Sequence, residues 1–97
     1  MASDFEILQK ESQELLIGFL QTELNLGTTF VLSARIAGDS DHMEQFAHAK
    51  QSAEKAAEAI ALFVGRVQDS RTRAEFVEQL FELDRRISAL VTAPTNI

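Results

Sequence analysis

The chain has 97 residues, an apolar fraction of 45%, a formal net charge of −6 and no cysteine. This length is typical of one domain, so we expect residues 1–97 to form a single helical domain. A chain without cysteine forms no disulfide and no thiolate zinc site. The acidic charge disfavours nucleic acid and anionic membrane as partners.

The apolar stretches predict a soluble, cytoplasmic protein. Asp4 and Glu6 stand where a secretory signal would carry basic residues. The most apolar stretch, residues 15–37, is interrupted by Gln21, Glu23, Asn25 and Arg35. A membrane span needs about 18 or more consecutive apolar residues, so we expect none here.

The residue pattern predicts an all-α protein. A β-sheet needs frequent glycine and proline in the turns between its strands, and this chain has only one proline and four glycines. Ser3 and Glu6 have the spacing of a capping box, which marks the start of a helix. Apolar residues then recur at helical spacing, and we expect a first helix over 4–37. A kink or a break near Gly27 is the alternative, since glycine weakens a helix by about 1 kcal/mol relative to alanine.

Two turns divide the remainder of the chain into two further helices. Gly38 suits a left-handed helix end, and Asp39 or Ser40 suits the start of a second helix over 40–68. Ser70 or Thr72 suits the start of a third helix over 71–91. Residues 92–97 are expected to form a loose tail.

Short connections predict a three-helix antiparallel bundle. Folding back near residue 39 places Gly27 beside Ala49 and Ala53, where small residues allow the first two helices to approach closely. The first helix is then longer than its partners, and residues 3 to about 9 project beyond the second turn. Phe5, Ile7 and Leu8, with Leu15 further along, form the candidate interaction surface.

The polar residues predict no catalytic, cofactor or metal site. Glu44 and His48 share a helix face, but two side chains make only half a metal site, and His42 points elsewhere. Arg66, Arg71 and Arg73 cluster at the second turn, where we expect ion pairs with acids of the first helix: Asp4, Glu6, Glu11 and Glu14.

Leu26-Gly27-x-x-Phe30, followed by Ala49-x-x-x-Ala53-x-x-Ala56, resembles the two helices of a tetratricopeptide-type hairpin. A hairpin with a third helix is also similar to modules of the microtubule-interacting-and-trafficking type and to small bacterial helical proteins. The resemblance implies that the hairpin binds peptides or helices in a groove.

Two functions follow as expectations. The first is a non-enzymatic module for protein–protein interaction, with a protein partner or with a second copy as a homodimer. The alternative is a helical bundle that binds a metal through Glu44 and His48, or a small ligand in a cavity beside the alanines.

Overall fold

The computed structural model describes residues 3–91 and confirms the all-α bundle of three helices. The helices are α1 (Asp4–Asp39), α2 (Met43–Phe63) and α3 (Ser70–Ser88), and a 3₁₀ turn, Val64–Arg66, follows α2. The second helix therefore ends earlier than the expected residue 68, and the third ends before residue 91. The expected tail, 92–97, lies outside the described residues.

Helix α1 is one continuous helix of 36 residues, which confirms the expected long first helix over 4–37 and excludes the alternative of a break near Gly27. Its start is the predicted capping box: the Glu6 amide donates to the Ser3 hydroxyl, and the Ser3 amide donates to the Glu6 carboxylate. Thr28 and Thr29 lie within the continuous helix, and each hydroxyl donates to the carbonyl four residues earlier.

The turn between α1 and α2 differs from the prediction. No described glycine has a positive φ, and Asp41 takes the left-handed conformation instead, with φ 60°. Gly38 stays helical and is needed for space: a Cβ there would lie 2.9 Å from the Val91 carbonyl oxygen and 3.1 Å from the Phe46 ring. Helix α2 begins after His42, without a side-chain cap, so the predicted caps are wrong.

The second turn is held by side chains from both of its flanks. Asp69 is the N-cap of α3, and its carboxylate accepts from the Thr72 amide at 2.8 Å and from the Thr72 hydroxyl at 2.7 Å. From α1, Gln13 donates to the Arg66 carbonyl and accepts from the Gln68 amide. The second turn is therefore level with Gln13 of α1.

The core lies along the line where the three helices meet. Leu20 of α1, Ile60 of α2 and Val67 of the second turn are its most deeply buried large side chains. Gly27 lies in this core, where an added Cβ would be 3.4 Å from the Ala56 Cβ and 2.8 Å from Leu83 Cδ2. The predicted close approach of α1 and α2 is confirmed at Gly27.

The predicted register of the hairpin is wrong by about one helical turn, since Gly27 meets Ala56 rather than Ala49 and Ala53. The cause is the position of the first turn. Helix α1 extends to Asp39 and α2 begins only at Met43, so the chain reverses near residue 41 and not near residue 39.

Candidate functional site

The start of α1 projects beyond the rest of the bundle, as the sequence predicts, and it does so further than expected. Residues 4–12, hereafter the overhang, are exposed throughout, and Gln13 is the first residue of α1 that contacts the second turn. At 1.5 Å per residue the overhang is about 13 Å long. The three predicted surface residues all lie on it: Phe5 is 68% exposed, Ile7 45% and Leu8 62%.

The exposed apolar residues of α1 continue from the overhang along the body of the bundle. Leu15 is 76% exposed, Phe19 39% and Leu26 42%. Together with the small polar residues between them they form a line with alternating spacings of three and four: Phe5, Leu8, Ser12, Leu15, Phe19, Thr22 and Leu26. We call this line the α1 stripe. Such spacing is the heptad pattern by which one helix packs against another.

The α1 stripe is separate from the face of α1 that enters the core. Leu15 and Phe19 each stand one residue before a core-facing residue, Leu16 and Leu20 respectively. One residue corresponds to about 100° around a helix, so the stripe is turned by about that angle from the core. α1 therefore has two apolar faces, of which α2 and α3 cover one.

Ile7 does not belong to the α1 stripe. It stands one residue before Leu8 and two after Phe5, which places it about 100° and about 200° away from them around the helix. The structure thus brings Phe5 and Leu8 together with Leu15 and Phe19, and it sets Ile7 apart. Leu15 belongs to the sequence-based surface, whereas Phe19 and Leu26 were missed. The signal that identifies them is the alternating spacing of three and four residues that continues from Leu15. This spacing is difficult to see in the sequence, because core residues such as Leu16 and Leu20 lie between the stripe residues.

Beside the stripe, α2 contributes the second wall of a shallow apolar groove. Ser12, Leu15, Leu16 and Phe19 line one side, and Phe63 and Arg66 line the other. The Phe19 and Phe63 rings meet edge to face, with centroids 5.6 Å apart. The Arg66 guanidinium lies over the Phe63 ring, 4.9 Å from its centroid, in a cation–π contact.

The predicted ion pairs between the second turn and the start of α1 are absent from the described residues. Arg71 pairs with Glu75 at 3.7 Å, and Arg73 donates to the Val67 carbonyl at 2.7 Å. The prediction is wrong: within residues 3–91 these arginines form other contacts, and Arg66 lies over the Phe63 ring. The other ion pairs of residues 3–91 join Glu82 to Arg85 and Arg86, which lower the pKa of Glu82 by hydrogen bonding.

The candidate metal ligands lie on the surface. Glu44, His42 and His48 are all exposed. Within residues 3–91, no three His, Asp or Glu side chains are grouped so that they could hold a metal ion. The alanines of α2 that face α1 are buried in close packing, and a shallow depression beside Ala57 and Ala61 is open to solvent.

Helix α1 departs from the expectation that no stretch of the chain could span a membrane. By length and composition alone it is long and apolar enough to cross a membrane, with a mean hydropathy of 1.3 over its most apolar 18-residue window, of which 22% is buried in the bundle. The same segment supplies core residues such as Leu20 and Leu24.

Comparisons with known proteins add no family to these observations: no protein-family model matches the chain, and searches of curated proteins and of solved structures find no significant similarity. The resemblance to tetratricopeptide-type hairpins stays a prediction.

Proposed function

We propose that this protein is a non-enzymatic helical interaction module that associates with a second copy of itself through the α1 stripe. The observation that carries the proposal is the exposure of Phe5, Leu8 and Leu15 at 62–76% on a heptad-spaced line. Exposed apolar side chains are common singly, but a continuous line of them is a surface that another helix covers.

The energetics favour covering this line. Burying one large apolar side chain contributes roughly 1.5–3 kcal/mol. The α1 stripe carries five such side chains, and a two-fold dimer buries Phe5, Leu8, Leu15 and Phe19 in both of its copies. Two-fold dimers are also the commonest oligomers of soluble proteins, because one surface then serves both subunits.

The charges near the stripe support a protein partner over a lipid surface. Asp4, Glu6 and Glu11 lie on the overhang, against a single basic residue, Lys10. Anionic lipid would repel this segment. In the most apolar part of α1, Gln21, Glu23 and Asn25 would each have to leave water on entering a bilayer, at a cost of several kcal/mol if unpaired.

The experiment is light scattering and sedimentation at concentrations on the order of tens of micromolar, since association depends on concentration. We expect the wild type to have twice the chain mass of 10.8 kDa. Phe5→Asp combined with Leu8→Asp should give a monomer of unchanged helicity by circular dichroism. The matched control is Ile7→Asp combined with Leu32→Asp, which replaces two exposed apolar residues outside the stripe and should remain dimeric.

Three results would contradict the proposal. A monomeric wild type means that the stripe does not mediate self-association. Equal dissociation of both double variants means that general surface charge, and not the stripe, determines assembly. A monomeric wild type that sediments with zwitterionic phospholipid vesicles means that the stripe binds lipid.

A further inference from the structure

The two halves of the α1 stripe have different surroundings. Phe5 and Leu8 lie on the overhang, where α1 has no neighbouring helix within the described chain. Leu15 and Phe19 lie in the body, where Phe63 stands beside them and forms the groove. One half of the stripe is therefore a projecting ridge, and the other half is a groove of similar length.

We infer that the groove is filled by the overhang of a second copy of this chain, with the two α1 helices antiparallel, so that each copy inserts its overhang into the groove of the other. This arrangement rests on the proposed self-association and specifies its geometry. A ridge and a groove on the same helix are complementary only when the helices run in opposite directions.

The heptad spacing determines the register of the pair. In an antiparallel pair, the two kinds of apolar heptad position face each other across the interface. Leu8 then faces Phe19 of the second copy, Phe5 faces Thr22, and Ser12 faces Leu15. The two-fold axis falls between residues 13 and 14.

The position of α2 fits this axis independently of the heptad spacing. Gln13 bonds to the Arg66 carbonyl and the Gln68 amide, so the second turn, which follows α2, is level with residue 13 of α1. Because the axis passes at the same level, the second turns of the two copies meet there, and the two α2 helices lie on opposite sides of the axis without overlapping. The α2 helix of each copy then stands beside the overhang of the other, the place where α1 lacks a neighbour.

The charges distinguish the antiparallel arrangement from a parallel one. Parallel helices would place two acidic overhangs side by side, with Asp4, Glu6 and Glu11 of both copies at equal levels. In the antiparallel register, residues 5–11 face residues 16–22 of the second copy, and residues 16–22 contain no charged side chain. Glu6 and Glu11 therefore face uncharged residues, whereas Asp4 lies level with Glu23 of the second copy.

The area is that of a small, weakly associating dimer. Phe5, Leu8, Leu15 and Phe19 each offer on the order of 100 Å² of exposed apolar surface, so two copies bury roughly 800 Å². Ser12 and Thr22 add a small polar area, and the total stays below the roughly 1,200 Å² at which standard specific interfaces begin.

Cysteine scanning tests the orientation, because the natural chain has no cysteine. Ser12→Cys and Thr22→Cys are a matched pair of small, exposed polar positions on the stripe. In the antiparallel dimer the two introduced thiols at position 12 are offset by about 5 Å along the helices, and those at position 22 by about 25 Å. A parallel dimer brings the two thiols together equally at both positions.

With a short bismaleimide we expect Ser12→Cys to give about tenfold more cross-linked dimer than Thr22→Cys, since only the former holds its thiols within reach of each other. Mixing Thr22→Cys with Asp4→Cys should restore cross-linking, because Asp4 adjoins Phe5, which faces Thr22 across the interface, and one residue is only about 1.5 Å along the helix. This mixture also verifies that the thiol at position 22 is reactive.

The outcomes separate the orientation from the proposed function. Equal cross-linking at positions 12 and 22 assigns a parallel pair and overturns the inference, while the dimer measured by light scattering leaves the proposed function in place. A dimer that cross-links at neither position also overturns it. A wild type that is monomeric by light scattering overturns both.

Discussion

Replacement of Gly27 tests whether α1 is packed against α2 and α3 in the observed register. An added Cβ would lie 2.8 Å from Leu83 Cδ2 and 3.4 Å from the Ala56 Cβ. The first distance is too short for two carbon atoms, so the Leu83 side chain must move, and Leu83 is buried in the core. Gly18, in the same helix, has no atom within 4 Å of its added Cβ and is the matched control.

The magnitudes follow from two opposing effects. Alanine in place of a helical glycine stabilises by about 1 kcal/mol, because it reduces the freedom of the unfolded chain. Overpacking a core costs about 1–3 kcal/mol. Gly18→Ala should therefore raise the free energy of unfolding by about 1 kcal/mol, whereas Gly27→Ala should change it little. Gly27→Leu should lower it by about 1–3 kcal/mol.

Thermal unfolding followed by circular dichroism measures these differences. The substitutions are best made in the Phe5→Asp, Leu8→Asp background, so that dissociation of a dimer does not contribute. For a domain of this size 1 kcal/mol corresponds to about 4–8 °C in Tm. Adding Leu83→Ala to Gly27→Leu should restore part of the loss, because the smaller side chain makes room for the larger one.

Two results would refute this reasoning. If Gly27→Leu leaves the Tm unchanged, Gly27 is not in the core. If the double variant loses as much stability as the two single variants together, the side chains at positions 27 and 83 are not in contact.

Two further predictions concern the second turn. Gln13→Ala removes both hydrogen bonds between α1 and this turn and should lower the free energy of unfolding by about 1–2 kcal/mol in chemical denaturation; a loss no larger than that of Gln9→Ala, on the overhang, would contradict it. Hydrogen bonds from the Thr72 hydroxyl and amide hold the pKa of Asp69 below its ordinary value. This stabilisation is complete above the unfolded pKa of about 3.9 and is lost as the pH falls through the folded pKa. Asp69→Ala should therefore lower the Tm at neutral pH and much less in acid; an equal difference at both pH values would contradict the assignment.

Local signals in the sequence predicted the helices but not all of their ends. The capping box at Ser3 and Glu6 is a contact between neighbours, and it was predicted correctly. Gly38 was assigned to a left-handed helix end, yet its role depends on Phe46 and Val91, which approach it from elsewhere in the chain. A glycine required for space cannot be distinguished, from local sequence, from one required for its conformation.

The candidate surface was predicted in part. The length difference between the first helix and its partners identified Phe5 and Leu8, because helix lengths follow from the positions of the turns. It also included Ile7, which lies on another face, and it omitted Phe19 and Leu26. Two apolar faces on one helix are interleaved in the sequence, and only the burial of one face by α2 and α3 separates them.

By itself, the sequence determined the fold class, the number of helices and the projection of the first helix beyond its partners. These properties depend on hydrophobic periodicity and on turn residues, which act over a few positions. The tertiary structure decided the register of α1 against α2, the contact of Gly27 with Leu83, and which apolar face of α1 stays exposed. Those properties depend on the residue at which the chain reverses direction, which is near residue 41. A shift of that turn by two residues changes every contact between α1 and α2.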